Sequence, residues 1–237
     1  MTLKLAVIGD FNPKSETHLA TNKAILHSKA LLKCELDSIW VHSVDATAEI
    51  ISQFDGFLIA PGGPFKNMEN IIYSIQYARE NDLPCLGTCG GFQHIMLEYA
   101  RNILGLKSAQ HEEYDPNSSE LFITKLSCSL KGREMELDLV PGSKVASLYG
   151  KKQVTEKYYC NFGVNPNYLE IIKNGPINIV GSDRKGEIRI VEYPDHAFFI
   201  GTLYVPQVQS INSTPHPLIT GLVEAIIIRS TIKFITD

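Results

Sequence analysis

The first hundred residues alternate between short apolar runs and segments with helical spacing of apolar residues. Residues 3–10 form a nearly continuous apolar run leading into glycine, which is typical of a strand buried on both faces of a parallel sheet. The same strand pattern recurs at residues 38–44, 56–60 and 84–87. Helical spacing occurs at residues 17–32, 47–53, 68–81 and 92–104. This order predicts a parallel sheet with helices packed on its faces.

The alternation ends after residue 106, and the second half is predicted to be mostly β. Residues 111–120 are polar and loop-like, and strand-like runs follow at 121–126, 177–181, 187–193 and 198–203. Pro215 and Pro217 mark the start of a final helix over residues 218–235. Because no linker or internal repeat interrupts the chain, we expect one α/β domain over residues 1–237.

Composition excludes several classes of function. The net charge of -4 gives no broad basic field for nucleic acid. No apolar stretch approaches the roughly 20 residues that span a bilayer, so we expect no membrane segment. The N-terminal residues resemble a buried strand rather than a signal peptide, which favours a cytoplasmic location.

The five cysteines do not suggest a disulfide framework. Their number is odd and no C-x-x-C spacing occurs, so they are expected to be thiols rather than disulfide partners or zinc ligands. We expect neither a metal nor a cofactor.

The most informative turn is G-T-C-G-G at residues 87–91, between a predicted strand and a predicted helix. A G-x-C-x-G string is the cysteine form of the elbow that raises a nucleophile above the edge of a sheet. Its glycines allow backbones to approach closely and let Cys89 adopt a strained conformation. The same string also arises by chance around a small buried cysteine, so alone it does not decide the function.

The position of Cys89 has chemical consequences. At a helix N-terminus, free N–H groups favour negative charge, so we expect a lowered pKa for Cys89 and an oxyanion donor in the amide of Gly90. A second turn, P-G-G-P at residues 61–64, follows another predicted strand and would lie beside the elbow. Gly62 and Gly63 would then complete an oxyanion hole, although a Gly-Gly turn by itself is an ordinary feature.

These turns carry a resemblance to a known family. The string L-G-T-C-G-G-F-Q-H-I-M-L-E-Y-A-R-N at residues 86–102 resembles class I glutamine amidotransferases, and the glutaminase region of CTP synthase in particular. Further similar strings are A-P-G-G at 60–63, A-R-E at 78–80, V-N at 164–165, H-A-F-F-I-G at 196–201 and P-L at 217–218. The resemblance covers nearly the whole chain, without the amino-terminal ligase portion of CTP synthase. It implies a class I amidotransferase-like sandwich with a mostly parallel central sheet and a β-rich second half.

The resemblance also implies roles for individual residues. Cys89 matches the nucleophile, and Gln93 and Glu113 match positions that contact glutamine. Glu113 stands in A-Q-H-E-E-Y at residues 109–114, where the family has A-N-S-T-E-F. Without this match, Gln93 would be an amide on a helix face and Glu113 a solvated acid.

Three departures from the family pattern concern catalysis. The family completes its triad with H-P-E, whereas residues 203–207 read L-Y-V-P-Q, so Val205 replaces the histidine and Gln207 the glutamate. Neither side chain can accept and return a proton near neutral pH. The basic R-H-R-Y segment of the family reads Y-C-N-F at residues 159–162, so Asn161 replaces the arginine expected to hold the substrate carboxylate.

Three histidines are candidates for a substitute base. His111 borders the expected pocket, His94 lies on the elbow helix, and His196 matches an ordinary family histidine. Each is more readily explained as structural, and His111 is the strongest of the three. A thiolate already formed at a helix end needs less help from a base than a serine would.

The leading hypothesis is a free-standing relative of the CTP synthase glutaminase, with weak hydrolysis or related thioester chemistry on another amide or carbonyl. Its partners would be a small amide or glutamine-like ligand, and a synthase partner or a second copy of the chain. One alternative is a non-catalytic module that binds glutamine or a metabolite. Another is a thiol redox or carbonyl-scavenging protein.

Overall fold

The computed structural model describes the backbone of residues 2–236 and the side chains of residues 2–232. Met1 and Asp237, the two ends of the expected domain, therefore lie outside the described residues. The strands are β1 Leu3–Ile8, β2 Leu36–Val41, β3 Gly56–Ile59, β4 Cys85–Thr88, β5 Gln110–His111, β6 Leu121–Lys125, β7 Glu134–Leu139, β8 Gln153–Lys157, β9 Phe162–Val164, β10 Asn178–Ser182, β11 Ile188–Glu192 and β12 Phe199–Thr202.

The helices are α1 Glu16–Leu32, α2 Ala48–Ile51, α3 Met68–Glu80, α4 Gly90–Glu98, α5 Lys144–Tyr149, α6 Leu169–Lys173 and α7 Pro217–Thr236. A π-helical turn, Tyr99–Ile103, continues α4. Ser15 caps α1 by accepting a hydrogen bond from the His18 amide, and Asn67 caps α3 in the same way. None of the described helices combines the length and apolarity needed to cross a membrane.

A nine-stranded sheet forms the centre of the molecule, in the order β2-β1-β3-β4-β12-β11-β10-β7-β8. The first five strands in this order are parallel, and the remaining neighbours pair antiparallel. A smaller sheet contains β5, β6 and β9. The α/β prediction, with a parallel central sheet and a β-rich second half, is confirmed.

The core lies on the parallel strands. Every residue of β3 and β4 is buried, as are the last four residues of β1. Helix α1 packs against α7, and α3 packs against α4. Burial of each large aliphatic side chain contributes about 1.5–3 kcal/mol relative to exposure, so the predicted apolar runs account for the sheet.

Four strands, β5, β7, β8 and β9, were not predicted from the sequence. β7 and β8 form an antiparallel pair at the edge of the large sheet. β7 reads E-M-E-L-D-L, and its outward positions carry charged residues, so its apolar content is low. Such half-exposed edge strands lack the continuous apolar run that identified β1, β3 and β4.

A buried ion pair holds the elbow helix α4 against α3. The Glu98 side chain is fully buried, and it accepts hydrogen bonds from Nε of Arg79 at 3.1 Å and from Nη2 at 2.8 Å. Asn102 Nδ2 donates a further hydrogen bond to Glu98 at 3.2 Å. The carboxylate therefore has the partners that a buried charge requires.

Replacing Arg79 by methionine should lower the free energy of unfolding by about 3–5 kcal/mol, because it leaves the buried Glu98 charge without its cation. Urea denaturation measures this change. The matched control is Arg184→Met, which breaks an exposed pair with Glu136 and should cost less than about 1 kcal/mol. Equal effects of the two substitutions would contradict the assignment of Arg79 as the cation that stabilises the buried Glu98 charge.

Candidate functional site

Cys89 lies between β4 and α4 in a strained conformation. Its φ of 52° and ψ of −107° lie in a region that a residue with a side chain rarely adopts. Such strain costs on the order of 1–3 kcal/mol and persists only where the surroundings hold it. Here the Cys89 amide donates to the Thr202 carbonyl at 2.8 Å, and its carbonyl accepts from the Gln93 amide at 3.1 Å.

Two glycines bring neighbouring turns into contact. A Cβ added to Gly90 would collide with the carbonyl oxygen of Gly62, and one added to Gly91 would collide with that of Ile59. Gly62 itself has a φ of +112°, which favours glycine. Because β3 and β4 are parallel neighbours, their carboxyl ends meet here, and only glycine fits the contact.

The sulfur of Cys89 is surrounded by hydrogen-bond donors. A hydrogen bond from the Cys160 thiol is the largest cause that lowers the pKa of Cys89, and the backbones of Gly62 and Gly90 lower it further. Burial and the negative charge of Glu113 act in the opposite direction. The net effect is a Cys89 pKa below its ordinary value.

Cys160 is the residue that the sequence analysis missed. It lies between β8 and β9, and its Sγ is 2.8 Å from the Sγ of Cys89 and 2.8 Å from the Leu203 carbonyl oxygen. Burial and the neighbouring Cys89 raise the pKa of Cys160 well above its ordinary value, so this thiol keeps its proton and donates it. The sequence signal was a cysteine within Y-C-N-F at residues 159–162.

Glu113 lies on the open side of the site. Its Oε2 is 3.2 Å from the position that a Cβ of Gly63 would take, and Gly62 and Gly63 are both exposed. Partial burial raises the pKa of the Glu113 carboxyl group. The Gly62-Gly63 turn, Glu113 and Cys89 thus border the same opening.

Gln93 and His111 bind each other beneath this opening. The Gln93 Nε2 donates to the Phe162 carbonyl at 2.9 Å, and its Oε1 is 3.1 Å from His111 Nε2. His111 Nδ1 accepts from the Glu113 amide at 3.1 Å, which leaves the proton on Nε2. Burial, together with the charge of His94, lowers the pKa of His111 to about 3. With both ring nitrogens engaged, this imidazole is not free to accept a proton near neutral pH, so the arrangement does not favour it as a substitute base.

The other candidate histidines also have structural contacts. His94 Nδ1 is 2.7 Å from the Gly90 carbonyl and Nε2 is 3.1 Å from the Tyr114 hydroxyl, and burial lowers its pKa to about 4. His196 Nε2 is 3.3 Å from the Ala78 carbonyl. The His94 ring thus contacts the backbone at the start of α4, and the His196 ring contacts the backbone near the end of α3.

Asn161 faces away from Cys89. Its side chain is exposed, and its Oδ1 accepts a hydrogen bond from the Ser129 hydroxyl at 2.7 Å. The neighbouring Cys160 faces the site instead.

Val205 and Gln207 are both buried on the segment that follows β12. Gln207 Nε2 donates to the Thr88 hydroxyl at 2.9 Å, directly before Cys89. Its Oε1 has no hydrogen-bond partner within the described residues. The side chain of Val205 is an alkyl group, which can neither donate nor accept a proton.

The described side chains include no group of three or more His, Cys, Asp or Glu placed to hold a metal ion.

Comparison with known proteins identifies the family. The model for "Glutamine amidotransferase class-I" matches residues 16–225. The chain belongs to this family. A CTP synthase of Saccharolobus solfataricus is 30% identical over 240 residues, which cover 95% of this chain and 45% of the relative. A CTP synthase of Methanocaldococcus jannaschii is 32% identical over 241 residues, which cover 93% of this chain and 45% of the relative.

The chain spans less than half the length of these amidotransferase relatives. Among solved structures, the glutaminase domain of Trypanosoma brucei CTPS with bound acivicin has a TM-score of 0.86 at 22% identity, covering 95% of this chain and 94% of that one. A glutamine amidotransferase from Thermotoga maritima has a TM-score of 0.59 at 9% identity, covering 97% of this chain and 98% of that one. These likenesses show the same fold, and the predicted relation to the CTP synthase glutaminase is confirmed.

Cys89 should be the most readily alkylated of the five cysteines in the folded protein, and its labelling by iodoacetamide should persist to lower pH than that of Cys34. The pKa of Cys89 is lowered, whereas burial raises the pKa of Cys34, and only the thiolate reacts. Quantitative mass spectrometry across pH measures each site. Faster labelling of Cys34 or Cys160 at neutral pH would contradict the elbow assignment.

Cys160→Ala should raise the apparent pKa of Cys89, because it removes the thiol that donates to the Cys89 sulfur. The same labelling should therefore slow at neutral pH but recover at alkaline pH. Cys160→Ser keeps a donor and should lie closer to the wild type, and Cys34→Ala is the matched control. Unchanged pH profiles for both Cys160 variants would exclude the proposed hydrogen bond.

Proposed function

We propose that this amidotransferase uses Cys89 to attack the carbonyl of a glutamine-like amide, but turns the resulting thioester over slowly. The supporting observation is the composition of the sulfur's surroundings: a thiol, Cys160, and the backbones of Gly62 and Gly90. This set favours a thiolate and a developing oxyanion. It contains no imidazole.

Proton transfer is the step that this arrangement lacks. After attack on the carbonyl carbon, a C–S bond forms and the carbonyl oxygen gains charge, which the amides of Gly62, Gly63 and Gly90 would stabilise. The C–N bond breaks readily only when the nitrogen receives a proton, and the thioester hydrolyses only when water loses one. Val205 and Gln207 can do neither, so both half-reactions should be slow.

Substrate recognition is proposed to be weaker than in the triad-containing relatives. Glu113 borders the opening beside Gly63, where its carboxylate can attract an ammonium group. Asn161 is exposed and bound to Ser129, so it supplies no cation for a substrate carboxylate. The Gln93 oxygen already accepts a hydrogen bond from His111, which leaves it one further lone pair for a ligand.

Any transfer of ammonia is proposed to need an acceptor outside the matched region. The similarity to CTP synthases covers about 45% of their length, so a synthase partner is one source of an acceptor site, and a second copy of the chain is the other candidate partner.

Glutamine hydrolysis by the wild type should be very slow, and Val205→His combined with Gln207→Glu should raise it more than either change alone. A positioned base contributes about 10² to 10⁴ in rate, and base and orienting acid act as a unit. Released ammonia is measured for the wild type, both single variants and the double variant. Cys89→Ser in the double variant should abolish the gain.

The matched control places the same residue types at nearby exposed positions, with Gln209→Glu and Ile211→His, and should leave the rate unchanged. Wild-type turnover in the ordinary range of about 1 to 10³ per second, lost in Cys89→Ser, would refute slow turnover and require another base near the sulfur.

A non-catalytic binding role is the second candidate, favoured by the alkyl side chain of Val205 at the base position. Burst kinetics with activated amides and esters separates the two. A burst equal to one acyl group per Cys89 supports thioester chemistry, whereas saturable ligand binding without any burst supports the binding role.

The 237-residue chain should not form CTP from UTP, ATP and ammonia. It contains no phosphate-binding G-x-x-x-x-G-K-[ST] string, and its similarity to CTP synthases is confined to less than half of their length. Chromatographic detection of CTP tests this, with a full-length CTP synthase as the positive control. CTP formed by the purified chain would overturn the proposal.

A further inference from the structure

Cys89 and Cys160 form a buried pair of thiols that the amide chemistry does not explain. Their sulfurs are 2.8 Å apart, while the residues lie 71 positions apart in the sequence. Cys89 is 7% exposed and Cys160 only 2%, so Cys89 is the more accessible of the two. A disulfide requires sulfurs about 2.05 Å apart, so the two sulfurs have to approach by less than about 1 Å.

The two thiols differ in the way that a redox pair requires. The Cys160 thiol and the backbones of Gly62 and Gly90 lower the pKa of Cys89, which favours the thiolate, and thiolates are the form that peroxides oxidise. Cys160 retains its proton, and its sulfur is 2.8 Å from the Cys89 sulfur and 2.8 Å from the Leu203 carbonyl oxygen. One sulfur is thus poised to be oxidised and the other to resolve the product.

The remaining cysteines lack such a neighbour. Cys85 is fully buried in β4, where desolvation raises its pKa. Cys34 is partly exposed with a raised pKa, and Cys128 is exposed with its sulfur 3.9 Å from Arg133. No other pair of described cysteines has a hydrogen bond between its sulfurs.

We propose that Cys89 and Cys160 are a redox-active dithiol that reduces small hydroperoxides and closes to a reversible disulfide. This activity is independent of the proposed thioester chemistry, although both begin at the same sulfur.

The reaction balances in two steps. The Cys89 thiolate attacks a peroxide oxygen, an S–O bond forms, the O–O bond breaks, and the departing oxygen takes a proton to leave as an alcohol or water. Cys160 then attacks the Cys89 sulfur, the S–O bond breaks, and water leaves with the Cys160 proton. Two thiols are oxidised for each peroxide reduced, and an external dithiol restores them by exchange.

The backbone donors of the elbow suit the first step. Gly62 and Gly90 surround the sulfur and would stabilise the negative charge that develops on the departing oxygen. Because Cys89 is only 7% exposed, a small oxidant reaches it more easily than a protein partner. Closure of the disulfide also removes the thiolate, so the oxidised protein cannot acylate.

The test is addition of one equivalent of hydrogen peroxide to the reduced full-length chain, followed by thiol counting and non-reducing peptide mapping. The expected result is loss of two thiols, a linked peptide that contains Cys89 and Cys160, and recovery of both thiols with dithiothreitol. Cys160→Ser should instead accumulate a sulfenic acid at Cys89, trapped by dimedone. Cys34→Ser is the matched control and should form the same linked peptide as the wild type.

Three outcomes would overturn the proposal: no consumption of peroxide, a linked peptide through Cys34 or Cys128, or oxidation of Cys89 to sulfinic acid without any link. If Cys160→Ser fails to fold, as judged by circular dichroism, the wild-type map still decides. If the redox proposal fails because no Cys89–Cys160 link forms, an acylation burst at Cys89 is still expected from the proposed thioester chemistry. Conversely, a linked peptide without any burst would refute the thioester proposal alone.

Discussion

The contact between the backbones of Gly90 and Gly62 determines the rest of the site. It joins the turns after β3 and β4, and there is no room for a Cβ at Gly90. The contact holds Cys89 at a positive φ and aims backbone donors at its sulfur. The Arg79–Glu98 pair anchors α4 from behind, so the strain at Cys89 is supported by packing on both sides.

The thiol of Cys160 limits what this frame can do. Burial and Cys89 keep Cys160 protonated, so it donates to the Cys89 sulfur and does not act as a base that accepts and returns a proton. Gln207 donates a hydrogen bond to Thr88 and carries no charge. The site therefore stabilises negative charge on sulfur without a route for moving protons, which suits oxidation better than amide hydrolysis.

The parallel half of the fold and the elbow were predictable because their signals are local. Continuous apolar runs identify β1, β3 and β4, and the glycines around Cys89 lie in one string. The β7–β8 pair was missed because charged residues alternate along an edge strand. Cys160 was missed for a different reason: its meaning depends on contact with a residue 71 positions away, which no local pattern encodes. The engagement of His111 by Gln93 is equally non-local.

The connection that carries Cys160 begins where β8 ends, and β8 is the outermost strand of the large sheet. Edge elements open locally at a lower free energy than the central strands. Each such opening would withdraw the proton donor from Cys89 without disturbing β4 or the elbow. The acidity of the Cys89 sulfur is thus coupled to local opening at the edge of the large sheet.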